Sequence, residues 1–64
     1  MLGEKIRNLR KENKISQEEL AEKCDISRNS ITLIETGKVN PTILKIVDIA
    51  RVLNVEITKI IEDV

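Results

Sequence analysis

Arg28, Asn29, Thr32 and Leu33 lie close together in the stretch SRNSITLIETG, residues 27–37. On a helical wheel of about 100° per residue these four fall on one side. Ile31 and Ile34, with Ser27 and Ser30, fall on the other. A guanidinium can pair bidentately with guanine, a carboxamide with adenine, and a threonine or leucine methyl can touch the thymine methyl. This is chemistry of recognition, and the composition agrees with it. The sequence has no histidine, no aromatic residue and a single cysteine, Cys24. That removes the usual general base, the usual metal ligands and the stacking platforms of single-strand binders. Carboxylate pairs remain, but no glycine-rich phosphate loop accompanies them. The expectation is a binding protein, not an enzyme, with no metal, cofactor or small-molecule ligand. Cys24 is most simply a small core residue.

The elements that must hold this face are legible from their ends. Ser27 is a good N-cap for the helix that carries it, and Gly37 suits the left-handed conformation that closes it. Before it, Ser16 with Glu19 three residues on forms a capping box that starts a helix over about residues 17–24. Glu18, Glu19 and Glu22 complement the dipole there, and Leu20, Ala21 and Cys24 form the buried side. A short Asp25-Ile26 turn joins the two. Helices of this length, joined so tightly, form a helix-turn-helix unit over about residues 17–36, whose second helix, 27–36, enters the major groove N-terminal end first.

Residues 2–13 read as a first helix, with Leu2, Ile6 and Leu9 on one face and basic residues on the other. Arg7, Lys11 and Lys14 there read as a solvated face. Pro41 disfavours helical geometry at Asn40, so the fourth helix covers residues 42–53, with Asn54 as a left-handed stop. It is apolar nearly all round, with only Lys45, Asp48 and Arg51 polar, so it must be surrounded by core or by a partner. A fifth helix, about 56–62, spaces Ile57, Ile60, Ile61 and Val64 along one face. Leu44, Ile61 and Val64 supply either a symmetric dimer contact or the closure of the chain's own core.

The run QEELAEKCDISRNSITLIETGKVNPT, residues 17–42, resembles the phage repressor and Cro family of helix-turn-helix domains, also called the XRE family. The matching residues are Ser16, Gln17, Leu20, Ala21, Ile26, Ser27, Ile31, Ile34, Glu35, Gly37, Lys38 and Pro41, and the likeness extends from the Ile6-Arg7-Asn8-Leu9-Arg10 run to Ile57. The resemblance implies an all-α, lambda-repressor-like fold of five short helices, one domain over residues 1–64. It implies sequence-specific binding of double-stranded DNA by a prokaryotic or phage transcriptional regulator, as a homodimer on a near-palindromic operator. Gln17 would clamp the sugar-phosphate backbone. Lys38, with Thr36, Asn40 and the loop's backbone amides, would bind phosphate after the recognition helix. Arg10 and Glu35 would form a partly buried ion pair between the first and third helices. Two positions depart from the family's habit: Asp25, where a glycine often enters the turn, and Glu56, where Ser or Asp often caps the last helix.

Alternatives remain open at single residues and for the whole chain. Arg28 could touch phosphate or solvent in place of a base, and Leu33 could belong to the core. Sixty-four residues form one domain near the lower limit for folding alone. Eleven basic and eleven acidic residues leave no net charge, whereas DNA-binding domains are usually basic. The basic charge is local: residues 1–14 hold five Lys or Arg against two Glu. A protein-interaction module, an antitoxin or a restriction controller on the same fold therefore stays in view. A lone cysteine, an N-terminus that turns charged at once and the lack of a long apolar run point to a soluble cytoplasmic protein with no membrane partner.

Overall fold

Helices two, three and four each begin where a hydroxyl can satisfy an amide that has no partner in the first turn. Ser16 Oγ accepts from the Glu19 amide at 3.0 Å, Ser27 Oγ from the Ser30 amide at 3.1 Å, and Thr42 Oγ1 from the Lys45 amide at 3.2 Å. The computed structural model describes residues 2–61. It contains α1 (Leu2–Glu12), α2 (Gln17–Lys23), α3 (Arg28–Glu35), α4 (Ile43–Val52) and α5 (Thr58–Ile61), with no strand among the described residues. The capping box at Ser16 is half formed, since the Glu19 carboxylate lies 3.6 Å from Lys23 Nζ. The fifth helix begins at Thr58, two residues later than its apolar spacing suggests, and Glu62 and Val64 lie outside the described residues.

The first four helices end in the same way. Lys14, Asp25, Gly37 and Asn54 all take the left-handed conformation, with φ of 59°, 59°, 79° and 58°. In each case the next residue's amide returns to the last turn: Ile15 to Arg10 O, Ile26 to Ala21 O, Lys38 to Leu33 O and Val55 to Ala50 O, at 2.9 to 3.3 Å. Asp25 fills the role that a glycine would fill more easily. Ile15, Ile26 and Val55 then turn inward and pack on the core, so three of these stops also carry a hydrophobic contact. The stop at Lys14 has no glycine, asparagine or aspartate to advertise it, and the sequence pattern does not reveal it.

The core is wholly aliphatic apart from Cys24. Ile6, Leu20, Ile31, Ile49, Leu53 and Ile60 are fully buried, each worth about 1.5–3 kcal/mol. Ala21 and Ala50 are small residues in the same cluster. Burial pushes the Cys24 thiol up from its ordinary value; Lys45 opposes this shift and Asp48 adds to it. Helix α4 is less enclosed than its composition suggests. Ile46, Ile49 and Ala50 are buried, but Ile43 and Leu44 at its first turn are 58% and 75% exposed. Among the described residues, no element covers these two side chains. None of the helices among the described residues is long and apolar enough to cross a membrane.

Helices α1 and α3 approach so closely that one position admits no side chain. A Cβ on Gly3 would sit 2.8 Å from the Glu35 carbonyl oxygen and closer still to that of Ile34, both backbone atoms that cannot rotate away. Gly3→Ala is therefore expected to destabilise the fold by about 1–3 kcal/mol in urea unfolding, although alanine ordinarily favours a helix. Lys14→Gly is expected to do the opposite, gaining about 1 kcal/mol by removing the cost of a left-handed lysine. An unchanged midpoint in both variants would mean that neither backbone constraint matters.

Candidate functional site

The outward side of α3 is set by what its inward side grips. Ile31 and Ile34 enter the core, and Glu35 is buried beside them. The Glu35 carboxylate accepts three hydrogen bonds: from Arg10 Nε at 2.7 Å, from Arg10 Nη2 at 3.2 Å and from Gln17 Nε2 at 3.0 Å. Arg10 Nη1 donates in turn to the Ile15 carbonyl at 2.9 Å. One guanidinium thus joins α1, the α1–α2 connection and α3. The Arg10 and Glu35 side chains are only 10% and 2% exposed. No buried side-chain nitrogen or oxygen among the described residues lacks a partner. A buried charge pair is tolerable only under that condition.

The network continues to the surface. Gln17 Oε1 lies 3.3 Å from Thr32 Oγ1, whose single proton can go there or to the Arg28 carbonyl at 3.2 Å. Gln17, expected as a phosphate clamp, is a strut between α2 and α3, and its carboxamide is oriented by Glu35 and Thr32. Sequence reading missed this second role, because no local pattern shows which side chains two crossing helices bring together.

Arg28 and Asn29, at the start of α3, are exposed, while Thr32 and Leu33 are half-buried. Arg28 Nη1 lies 3.9 Å from Glu18 Oε1, an exposed pair on neighbouring helices. Leu33 resolves its two alternatives in part. It stands at the rim of a shallow apolar groove with Ile26, Val39 and Pro41, neither in the core nor fully free.

The loop after α3 needs one correction. Three of its backbone amides, expected to hold phosphate, are already used: Gly37 N donates to Ile34 O, and both Lys38 N and Val39 N donate to Leu33 O. Closing the helix consumes these donors. Thr36 Oγ1 likewise donates to Thr32 O at 2.8 Å, so binding phosphate through that proton would break a bond inside the helix. The exposed side chains of Lys38 and Asn40 make no such bond among the described residues. Of the residues read as a dimer contact, Leu44 is exposed, Ile61 is half-buried against the core, and Val64 lies outside the described residues. Among the described residues no three His, Cys, Asp or Glu side chains are grouped to hold a metal ion.

Several known proteins are similar to this chain. The family model described as Helix-turn-helix matches residues 6–60. The immunity repressor protein of Bacillus phage phi105 is 33% identical over 60 residues, covering 94% of this chain but only 42% of the repressor. The chain thus spans less than half the length of that relative. An uncharacterized HTH-type transcriptional regulator of Archaeoglobus fulgidus is 42% identical over 53 residues, covering 83% of this chain and 76% of its own. The crystal structure of the restriction-modification controller protein C.AhdI from Aeromonas hydrophila superposes with a TM-score of 0.89 at 29% identity, covering 92% of this chain and 86% of that one.

The buried pair generates a quantitative expectation. Arg10→Met or Glu35→Gln alone should each cost about 3–5 kcal/mol of stability, because each strands a charged or polar partner. The double variant should cost clearly less than the sum. A double-mutant cycle in urea measures the coupling, and additivity would mean that Ile31 and Ile34 hold α3 without help.

Proposed function

Because the chain belongs to the helix-turn-helix family of DNA-binding transcriptional regulators, we propose that it binds a specific double-stranded DNA sequence with α3 in the major groove. The observation that carries this reading is the division of α3. Ile31, Ile34 and Glu35 anchor one side, while Arg28, Asn29, Thr32 and Leu33 remain exposed or half-exposed on the other. Arg28 and Asn29 occupy the N-terminal end, which goes deepest into the groove, and make the base contacts with the best-defined geometry. Thr32 and Leu33 add methyl contacts further along.

Gln17, Lys38 and Asn40 fix the register on phosphates without specifying sequence. Thr36 joins them only if its hydroxyl gives up Thr32 O. Zero net charge makes non-specific affinity modest, since few counterions are released by the surface as a whole. The role is binding, with no catalytic step, in the cytoplasm of a prokaryotic cell. The likeness to a phage repressor and to a restriction-modification controller supports regulation of transcription in either setting.

The protein acts as a symmetric homodimer on half-sites roughly 34 Å apart. Leu44 supports this, because a 75% exposed leucine beside the exposed Ile43 leaves apolar surface that the described residues do not cover. Two experiments test the reading. Selection from a randomised duplex pool should yield a near-palindromic motif, and Arg28→Ala should lose about 1–3 kcal/mol at one base position and relax the motif there. No enrichment even at low salt would instead favour a protein-interaction role. Leu44→Glu should shift sedimentation toward monomer and weaken operator binding by at least about 100-fold. No change in either would remove the dimer.

A further inference from the structure

The Gln17 carboxamide fits its place only one way round. A carboxylate held by an arginine accepts hydrogen bonds and donates none, so the atom 3.0 Å from Glu35 Oε1 must be the Gln17 amide nitrogen. Turning the carboxamide over would set two oxygens against each other beside a buried charge. Gln17 Oε1 is thereby aimed at Thr32 Oγ1, 3.3 Å away. The other neighbour of that hydroxyl is the Arg28 carbonyl at 3.2 Å, which also only accepts. Both partners draw on the one hydroxyl proton. Whichever holds it, the proton is spent inside the protein, and the hydroxyl has only lone pairs left to offer outward.

We propose that Gln17 is a positioning residue that makes the Thr32 hydroxyl an acceptor-only reader, selective for a base amino group in the major groove. This inference rests on the DNA-binding reading above. Each base pair shows one amino donor there, adenine N6 or cytosine N4, and a keto acceptor on its partner base. A hydroxyl reduced to lone pairs bonds the first and is repelled by the second. To donate to guanine or thymine, Thr32 would have to withdraw its proton from both Gln17 Oε1 and Arg28 O, and the half-buried Gln17 oxygen would lose its donor. The two bonds are long for O–H···O contacts. The preference is therefore that of a single hydrogen bond, about two- to ten-fold.

The test alters the duplex selected by the wild type one functional group at a time. Thr32→Val keeps the side chain's shape and removes the hydroxyl, so the base pair at which it relaxes the preference is the one Thr32 reads. At that pair, purine in place of adenine, or pyrimidinone in place of cytosine, removes the amino group, and a deazapurine removes the N7 acceptor. Losing the amino group should weaken the wild type about two- to ten-fold more than it weakens Thr32→Val. Losing N7 should weaken both alike. Gln17→Met should weaken every duplex through its lost phosphate contact and, in addition, shrink the amino-group effect; thermal melting checks that it is folded, and the Thr32→Val comparison stands without it. Coupling of Thr32 to N7 in place of the amino group, no position relaxed by Thr32→Val, or an amino-group effect intact in folded Gln17→Met would overturn the proposal. Each of those results leaves the DNA-binding reading standing. Failure of the wild type to select any duplex would overturn both.

Discussion

Arg10 and Glu35 carry opposite charges out of water at the point where α1, α2 and α3 meet, and the orientation of the reading face follows from how they are satisfied. Desolvating either charge alone would cost several kcal/mol. The geometry that avoids this cost is narrow, because the guanidinium must reach two carboxylate oxygens and the Ile15 carbonyl together. That requirement fixes the rotation of α3 about its axis. An aliphatic core fixes it less well, since isoleucines repack against one another with small penalties. Gln17 extends the constraint to Thr32, so a buried electrostatic contact is linked by two hydrogen bonds to a residue on the outward face.

Close packing without aromatic residues imposes a second constraint. Aliphatic side chains reach less far than rings, so the helices approach closely, and Gly3 is the place where α1 touches the backbone of α3. Tight turns serve the same end. Four left-handed stops reverse the chain within a few residues and return Ile15, Ile26 and Val55 to the core. A lysine accepts the strained conformation at one of them. The packing of the next residue, Ile15, on the core and the Arg10 bond to its carbonyl outweigh a local preference that would otherwise oppose the turn.

With no net charge, the DNA binding proposed for this chain must rely on where its charges lie. Arg28 and Lys38 flank α3, while Glu18 and Glu22 lie beside it on α2. Attraction and repulsion are therefore interleaved around the outward face of α3. Such a surface favours partners that match it point by point over those that offer only charge. The backbone amides that close α3 contribute nothing to this balance, because their hydrogen bonds already serve the helix end.

The order of helices, the caps at Ser16 and Ser27, and the stops at Gly37 and Asn54 were legible in the sequence by itself. Those features depend on residues within one turn of each other. The division of α3 into an isoleucine side and an Arg28–Asn29 side was legible for the same reason. Periodicity could not show that Gly3 must lack a side chain, that Lys14 turns left-handed, or that Ile43 and Leu44 stay uncovered. Nor could it show that Gln17 is held between Glu35 and Thr32, or that the amides of residues 37–39 are already used. These depend on atoms far apart in the chain or on the competition between a helix end and its surroundings. The sequence determined the elements and the chemistry they present; the crossing of α1, α2 and α3 decided which of those groups are spent on the fold and which remain to bind.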